Sequence, residues 1–274
     1  MTSMLESTTH SPRAVKRATI IRHGKPETIG HAVEQVEAVA RAHGVDVVGA
    51  DEAANADLAV VLGGDGTMLR ALARFLGTGM PVIGVNFGRV GFLASIRPEE
   101  MDGALARVFT GEYLVIELTT LDVDVDGTRG AAINDVVAHS SVLGRMVELS
   151  WEVGGEDLGH VHCDGLVAAT PSGSTAYNLS SGGPVLARSL DAMAITFVAP
   201  HSLHVRPLVI PRGLDLVICN RTPDVDVAVI VDGHTLATTG RDRRVTIRLG
   251  DQRSLLATMP ETTFFRRFRE TFVG

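Results

Sequence analysis

In the first third of the chain, apolar residues form short unbroken runs, separated by segments where they recur every third or fourth position. Residues 18–22 form a short, largely apolar run and predict a strand, and the unbroken run 58–62 predicts a buried one. Between them Pro26 can open a helix, because a first-turn residue needs no N–H partner. Ile29, Val33, Val36 and Val39 then fall on one face, and Gly44 ends the segment. Residues 45–48 predict a strand, about 67–76 a helix, and 81–86 a further strand. Strands alternating with helices predict an α/β domain with a parallel sheet covered on both faces.

Beyond about Tyr113 the helical period gives way to alternation. Leu121-Asp-Val-Asp-Val-Asp126-Gly127 alternates strictly and closes on an Asp-Gly pair, a hairpin signal. Residues 146–153 before Gly154-Gly155, and 225–231 before Asp232-Gly233, repeat the pattern. The second part is therefore expected to be mainly antiparallel β. Residues 262–272 mix phenylalanine and arginine and predict a last helix.

Composition removes several classes of function. The 274 residues carry 25 Lys and Arg against 32 Asp and Glu, a net charge of −7. That balance is wrong for a protein that coats nucleic acid. No apolar run approaches the roughly 18 residues of a membrane span. The first 17 residues lack the apolar stretch of a secretory signal. Two cysteines, Cys163 and Cys219, are too few for a disulfide framework. The expectation is a soluble, cytoplasmic protein. The only lysines are Lys16 and Lys25, neither in a Gly-Lys-Ser/Thr context, so there is no P-loop. Phosphate chemistry must use backbone amides, arginine or a metal.

Two motifs fail on their spacing. Asp122, Asp124, Asp126 and Gly127 imitate a calcium loop, but its twelfth position is Ile133 rather than a bidentate Glu. His201 and His204 have no third ligand spaced to complete a metal site.

Three segments carry chemistry. In Val60-Val-Leu-Gly63-Gly64-Asp65-Gly66-Thr67, a strand meets a helix through a glycine turn holding one carboxylate. Glycines let backbone amides approach a polyphosphate, and the helix start adds partial positive charge. A carboxylate there suits a general base or a cation holder, or else an ordinary helix cap. The second segment runs from Asp164 through Thr170-Pro-Ser-Gly-Ser-Thr175-Ala176-Tyr177-Asn178-Leu179-Ser180 to Gly183-Pro184. Its hydroxyls and amides suit ribose and phosphate oxygens, and Tyr177 offers a stacking face. The third is Asn134-Asp135, adjacent polar residues in an apolar strand context, which suit either ribose binding or a solvated edge.

Taken together and in this order, these segments resemble the NAD kinase family, which phosphorylates the 2′-hydroxyl of the adenosine ribose of NAD. The Gly63–Thr67 turn, Asn86-Phe-Gly-Arg-Val-Gly91-Phe92-Leu93, Asn134-Asp135, Asp164-Gly165 and Thr170–Tyr177 all match. Ser181-Gly-Gly-Pro184, Pro200-His201 and Arg206-Pro-Leu208 match as well, so the likeness runs from about residue 18 to the C-terminus. The turn alone is shared with diacylglycerol-type lipid kinases. A lipid kinase and a non-catalytic dinucleotide sensor are the alternative readings.

The resemblance implies an α/β domain, a sandwich-like β domain, an active site between them, and a C-terminal helix packed back on the first. The expected divisions are a flexible tail 1–17, an α/β domain 18–114, a β-rich domain 115–257 that binds NAD and builds the oligomer, and a returning segment 258–274. It also implies Mg²⁺ bound mainly through phosphates, ATP or polyphosphate as donor, and a homodimer or homotetramer. Asp65 would be the base, with Gly66 at the phosphates and Arg70 at the NAD. Phe92 would lie against the adenine, and Asn134 and Asp135 would bind the adenosine. Asp164, Thr175, Ala176, Tyr177, Asn178, Leu179 and Ser180 would line the rest of the dinucleotide site. Arg145, His162 and His234 match positions that contact ligand in some members. Asp135 stands where glutamate is frequent, and His162 where arginine is frequent. Val142, Leu143, Leu203 and Val205 are candidate interface residues. An interface beside the Asp164 loop would let a neighbouring subunit complete the pocket through His162 or His234.

Overall fold

A computed structural model describes residues 13–23, 26–88 and 91–273. Residues 1–12 of the expected tail, together with Lys25, Arg89 and Val90, lie outside these. Residues 15–17 of that expected tail are held in the fold. Val15 is buried and its N–H donates to the Phe109 carbonyl, while the Asp57 carboxylate accepts from the N–H groups of Lys16 and Arg17.

The chain divides into two units, one up to Leu118 and again from Arg253, the other from Thr119 to Gln252. In the first, β1 (Arg17–Arg22), α1 (Pro26–Ala42), β2 (Asp46–Val48), β3 (Leu58–Gly63), α2 (Asp65–Arg74) and β4 (Pro81–Asn86) alternate as the pattern predicts. α3 (Met101–Phe109) and β5 (Leu114–Leu118) follow. The α3 helix was not anticipated, although Met101, Leu105, Val108 and Phe109 bury one helical face.

The second unit holds β6 (Leu121–Val125), β7 (Thr128–Ala132), β8 (Asp135–Ser140), β9 (Val147–Val153), β10 (Glu156–Cys163) and β11 (Gly165–Ala169). A short α4 (Tyr177–Ser180) precedes β12 (Ala192–Val198), β13 (Leu208–Pro211), β14 (Leu216–Asn220), β15 (Val227–Val231), β16 (His234–Thr239) and β17 (Arg244–Leu249). Two antiparallel six-stranded sheets, ordered β10-β9-β14-β17-β6-β7 and β13-β12-β11-β8-β15-β16, share one core. Val123, Leu149 and Ile247 from one sheet pack with Val136, Leu166 and Met193 from the other, which makes a sandwich.

The chain then returns to the first unit through β18 (Ser254–Thr258) and α5 (Phe264–Phe268). The first sheet is ordered β2-β1-β3-β4-β18-β5, parallel except for the β18–β5 pair. Residues 253–257, expected in the β-rich domain, thus belong to the first unit. Every residue of β3 is buried, as a strand covered on both faces requires. β1 has β2 on one side and β3 on the other, so strand order reverses between β1 and β3, beside the C-terminal end of β3. In open α/β sheets that is where ligands bind.

Candidate active site

The glycine turn after β3 is built by close backbone approach. A Cβ on Gly63 would fall 2.5 Å from Thr67 Oγ1, and one on Gly88 would fall 3.3 Å from Gly64 Cα. Only residues without a side chain let the loop after β4 lie this close to the turn. Gly64 caps α2, and Asp65 is its first residue, two positions earlier than the pattern suggested. The Asp65 carboxylate accepts backbone N–H bonds from Phe92 at 2.7 Å, Leu93 at 3.2 Å and Ala94 at 3.3 Å. A Cβ on Gly91 would collide with that carboxylate. Gly66 and Arg70, four apart and both exposed, share one face of the first turns of α2. The Phe92 ring stacks on Phe272 with centroids 5.7 Å apart, and Phe264 lies at 6.4 Å.

In the second unit, the Asn134-Asp135 pair is held by a residue the sequence reading left as a hairpin turn. Asp232 takes φ +46° between β15 and β16. Its carboxylate accepts from the N–H groups of Ile133 and Asn134 at 2.8 Å and Asp135 at 3.1 Å. Burial, and then the nearby Asp232 charge, push the Asp135 carboxyl up to about 7. Burial also raises Asp232, against the pull of its three N–H bonds. The Asn134 Oδ1 is buried without a hydrogen-bond partner, as are the hydroxyls of Ser172 and Ser181.

The hydroxyl-rich loop is tied to the same pair. Thr170 donates its N–H to the Asn134 carbonyl at 2.8 Å and its hydroxyl to the Ile133 carbonyl at 2.7 Å. A Cβ on Gly173 would collide with the Asn134 backbone. Thr175, Ala176 and Leu179 are half-buried, while Tyr177 and Ser180 are exposed. Asn178 is buried within the loop. Its amide donates to the Ser174 and Pro184 carbonyls and accepts from Thr196 at 2.7 Å, so it braces the loop from inside.

The remaining expected residues are spread out. Asp164 is half-buried between β10 and β11, its N–H on the Val198 carbonyl. His234 is exposed at the start of β16, where it acts electrostatically on Asp232. His162 is exposed on β10, in the other sheet of this unit, 3.9 Å from Glu148. Arg145 is exposed in the turn between β8 and β9. Among the described residues, no group of three or more His, Cys, Asp or Glu could hold a metal ion.

Residues 12–113 match the family model described as the ATP-NAD kinase N-terminal domain, and residues 133–258 the one described as the C-terminal domain. An NAD kinase of Gemmatimonas aurantiaca is 36% identical over 219 residues, covering 78% of this chain and 76% of its own. One from Thermobifida fusca is 32% identical, covering 99% of this chain and 89% of its own. The chain belongs to the NAD kinase family. It is thereby a phosphotransferase with an alcohol acceptor. The crystal structure of an Archaeoglobus fulgidus NAD kinase in complex with ATP superposes with a TM-score of 0.79, at 26% identity over 94% of this chain and 97% of the other. A yeast NADH kinase complexed with NADH shares the fold, with a TM-score of 0.84 at 22% identity, covering 97% of this chain and 91% of the other.

Both halves match NAD kinase domains, which removes the lipid-kinase alternative that the glycine turn alone left open. Within this NAD kinase, Asp232 is the functional candidate that sequence reasoning missed. Its signal, an Asp-Gly pair after a strand, reads equally well as a plain hairpin turn. Arg267, discussed below, was hidden in a tail noted only for its helical pattern.

Proposed function

We propose that this NAD kinase transfers the γ-phosphoryl group of ATP in line to the 2′-hydroxyl of the adenosine ribose of NAD, with Asp65 as general base. The ribose oxygen bonds to phosphorus, the bond to the bridging oxygen breaks, ADP leaves, and the ribose proton passes to the Asp65 carboxylate. The observation that carries this reading is a lone carboxylate fixed by three N–H groups at a glycine-lined strand–helix turn. A carboxylate has about four acceptor positions, so three donors fix its rotamer while leaving room for a hydroxyl. Gly66 and the helix start would face the phosphates, and Arg70 would contact the NAD. Asn134 Oδ1, Asp135, Asp164 and the exposed Tyr177 and Ser180 would bind the dinucleotide.

Mg²⁺ fits as a companion of the donor rather than a resident of the protein. It is commonly held by one or two carboxylates plus substrate phosphates, and no protein cage stands among the described residues. When bound it would offset charge on the transferring phosphoryl group. Polyphosphate is the second donor to test. A cytoplasmic location belongs to the same reading, since Cys163 and Cys219 are free and buried. So does a homotetramer, supported by the full exposure of Leu143 and the near-full exposure of Leu203. Val205 is a poorer interface candidate, because it packs partly against the core of its own unit.

Incubation with NAD, ATP and Mg²⁺ should yield NADP. No NADP above a no-enzyme control, with polyphosphate failing as well, would overturn the reading. Light scattering should return a mass several times that of one chain.

A further inference from the structure

The loop that holds Asp65 is itself held from the other side. Arg267, in α5, donates from one guanidinium nitrogen to the Gly91 carbonyl and from the other to the Ala94 carbonyl. The Gly91 carbonyl and the Phe92 N–H are two ends of one peptide group, and that N–H makes the shortest bond to Asp65, at 2.7 Å. A guanidinium, a peptide and a carboxylate thus stand in series. Each member polarises the next, which strengthens both bonds. Asp65 takes the three N–H groups of residues 92–94, while Arg267 takes the two carbonyls at the ends of the same stretch.

We propose that Arg267 is a positioning residue for phosphoryl transfer, setting the Asp65 carboxylate through the Gly91–Phe92 peptide. The inference rests on Asp65 being the base, as proposed above. Three further observations support it. Arg267 is half-buried, and the charges acting on it are those of Asp65 and Glu270. Burial opposes that charge and the two carboxylates favour it. Gly91 has no room for a Cβ, which keeps the peptide pressed against the carboxylate. The segment carrying Arg267 is also firmly seated. Phe264 is buried, Thr263 caps the helix by accepting the Arg266 N–H at 3.2 Å, and Phe272 stacks on Phe92. The guanidinium sets two nitrogens at fixed spacing against the two carbonyls, whereas a lysine ammonium is a single point donor, so Arg267→Lys keeps the charge without the fixed fork.

The test measures kcat and both KM values for Arg267→Gln, Arg267→Lys, Asp65→Asn and the Asp65→Asn/Arg267→Gln double variant. Arg267→Gln should lower kcat about 10-fold or more, with the KM values for NAD and ATP within about 2-fold of wild type. Arg267→Lys should fall between. In the double variant the Arg267 effect should vanish, because a residue acting through Asp65 has nothing left to act on. A kcat unchanged in Arg267→Gln, or losses that multiply in the double variant, would overturn the proposal. If Arg267→Gln does not fold, Arg267→Lys and its double variant with Asp65→Asn decide by the same two criteria. Asp65→Asn read alone tests the base itself: wild-type turnover there removes the Asp65 reading and this inference with it. A loss confined to Asp65→Asn keeps the base and removes Arg267.

Discussion

Asp65 and Asp135 are both carboxylates, and they have different partners. Asp65 faces three N–H donors and is fixed by them. Asparagine at 65 would remove the proton acceptor and set an NH2 group against an N–H that the carboxylate now accepts. Turnover should fall about 10²–10⁴-fold, the usual worth of a general base, with dinucleotide binding retained. Asp135 instead is buried beside another carboxylate, Asp232. Its pKa rises from 3.8 to about 7 on folding, so ionising it is harder in the folded state than in the unfolded chain. The resulting loss of stability is absent below about pH 4, grows up to pH 7, and is complete above it, at most about 4 kcal/mol. Asp135→Asn cannot ionise, so its stability relative to wild type should rise between pH 4 and 7 and level off beyond. Urea melts at pH 5 and pH 8 would show this, and a pH-independent difference would contradict it.

At the level of elements, the alternating hairpins were plain in the sequence, because a period of two and an Asp-Gly or Gly-Gly pair leave few alternatives. The helices were less plain. Glycines at 64 and 66 disguised the start of α2, and Pro98 and Gly103 masked α3. The loop from Thr170 to Pro184 was recognised by its composition, but its bracing was not. Gly173 presses on the Asn134 backbone, so this one glycine joins the loop to the Asn134-Asp135 pair. Gly173→Ala should destabilise the protein by about 1–3 kcal/mol through overpacking. It should also raise the KM for NAD more than that for ATP. Thermal melting and steady-state kinetics would check both, and unchanged values would remove Gly173 from the site.

For the whole molecule, the decisive feature is that the chain visits its first unit twice. β18 enters the first sheet between β4 and β5, with Ser254 donating its hydroxyl to the Leu72 carbonyl at 3.0 Å. A chain ending at residue 252 would leave β4 and β5 without the strand between them and should not fold its first unit. One ending at residue 262 keeps β18 and should retain the sheet while losing turnover, because Arg267 and the phenylalanines around Phe92 are gone. Circular dichroism and NADP formation would separate the two outcomes.

The sequence by itself determined the strand and helix alternation, the antiparallel second half, the glycine turn with Asp65, and the Asn134-Asp135 pair. Each is written within about ten residues, as a period, a breaker or a run of small polar side chains. Only the tertiary structure decided what those residues touch. The donors to Asp65 are backbone N–H groups 27 to 29 positions away, which any residue supplies and no side chain announces. Asp232 reaches Ile133 and Asn134 across 99 and 98 positions, and Arg267 reaches Gly91 across 176. Local patterns fix local dihedrals and buried faces. Which distant peptide groups come within hydrogen-bond reach of a carboxylate depends on strand order and on the return of the chain into its first sheet, and no local period encodes either.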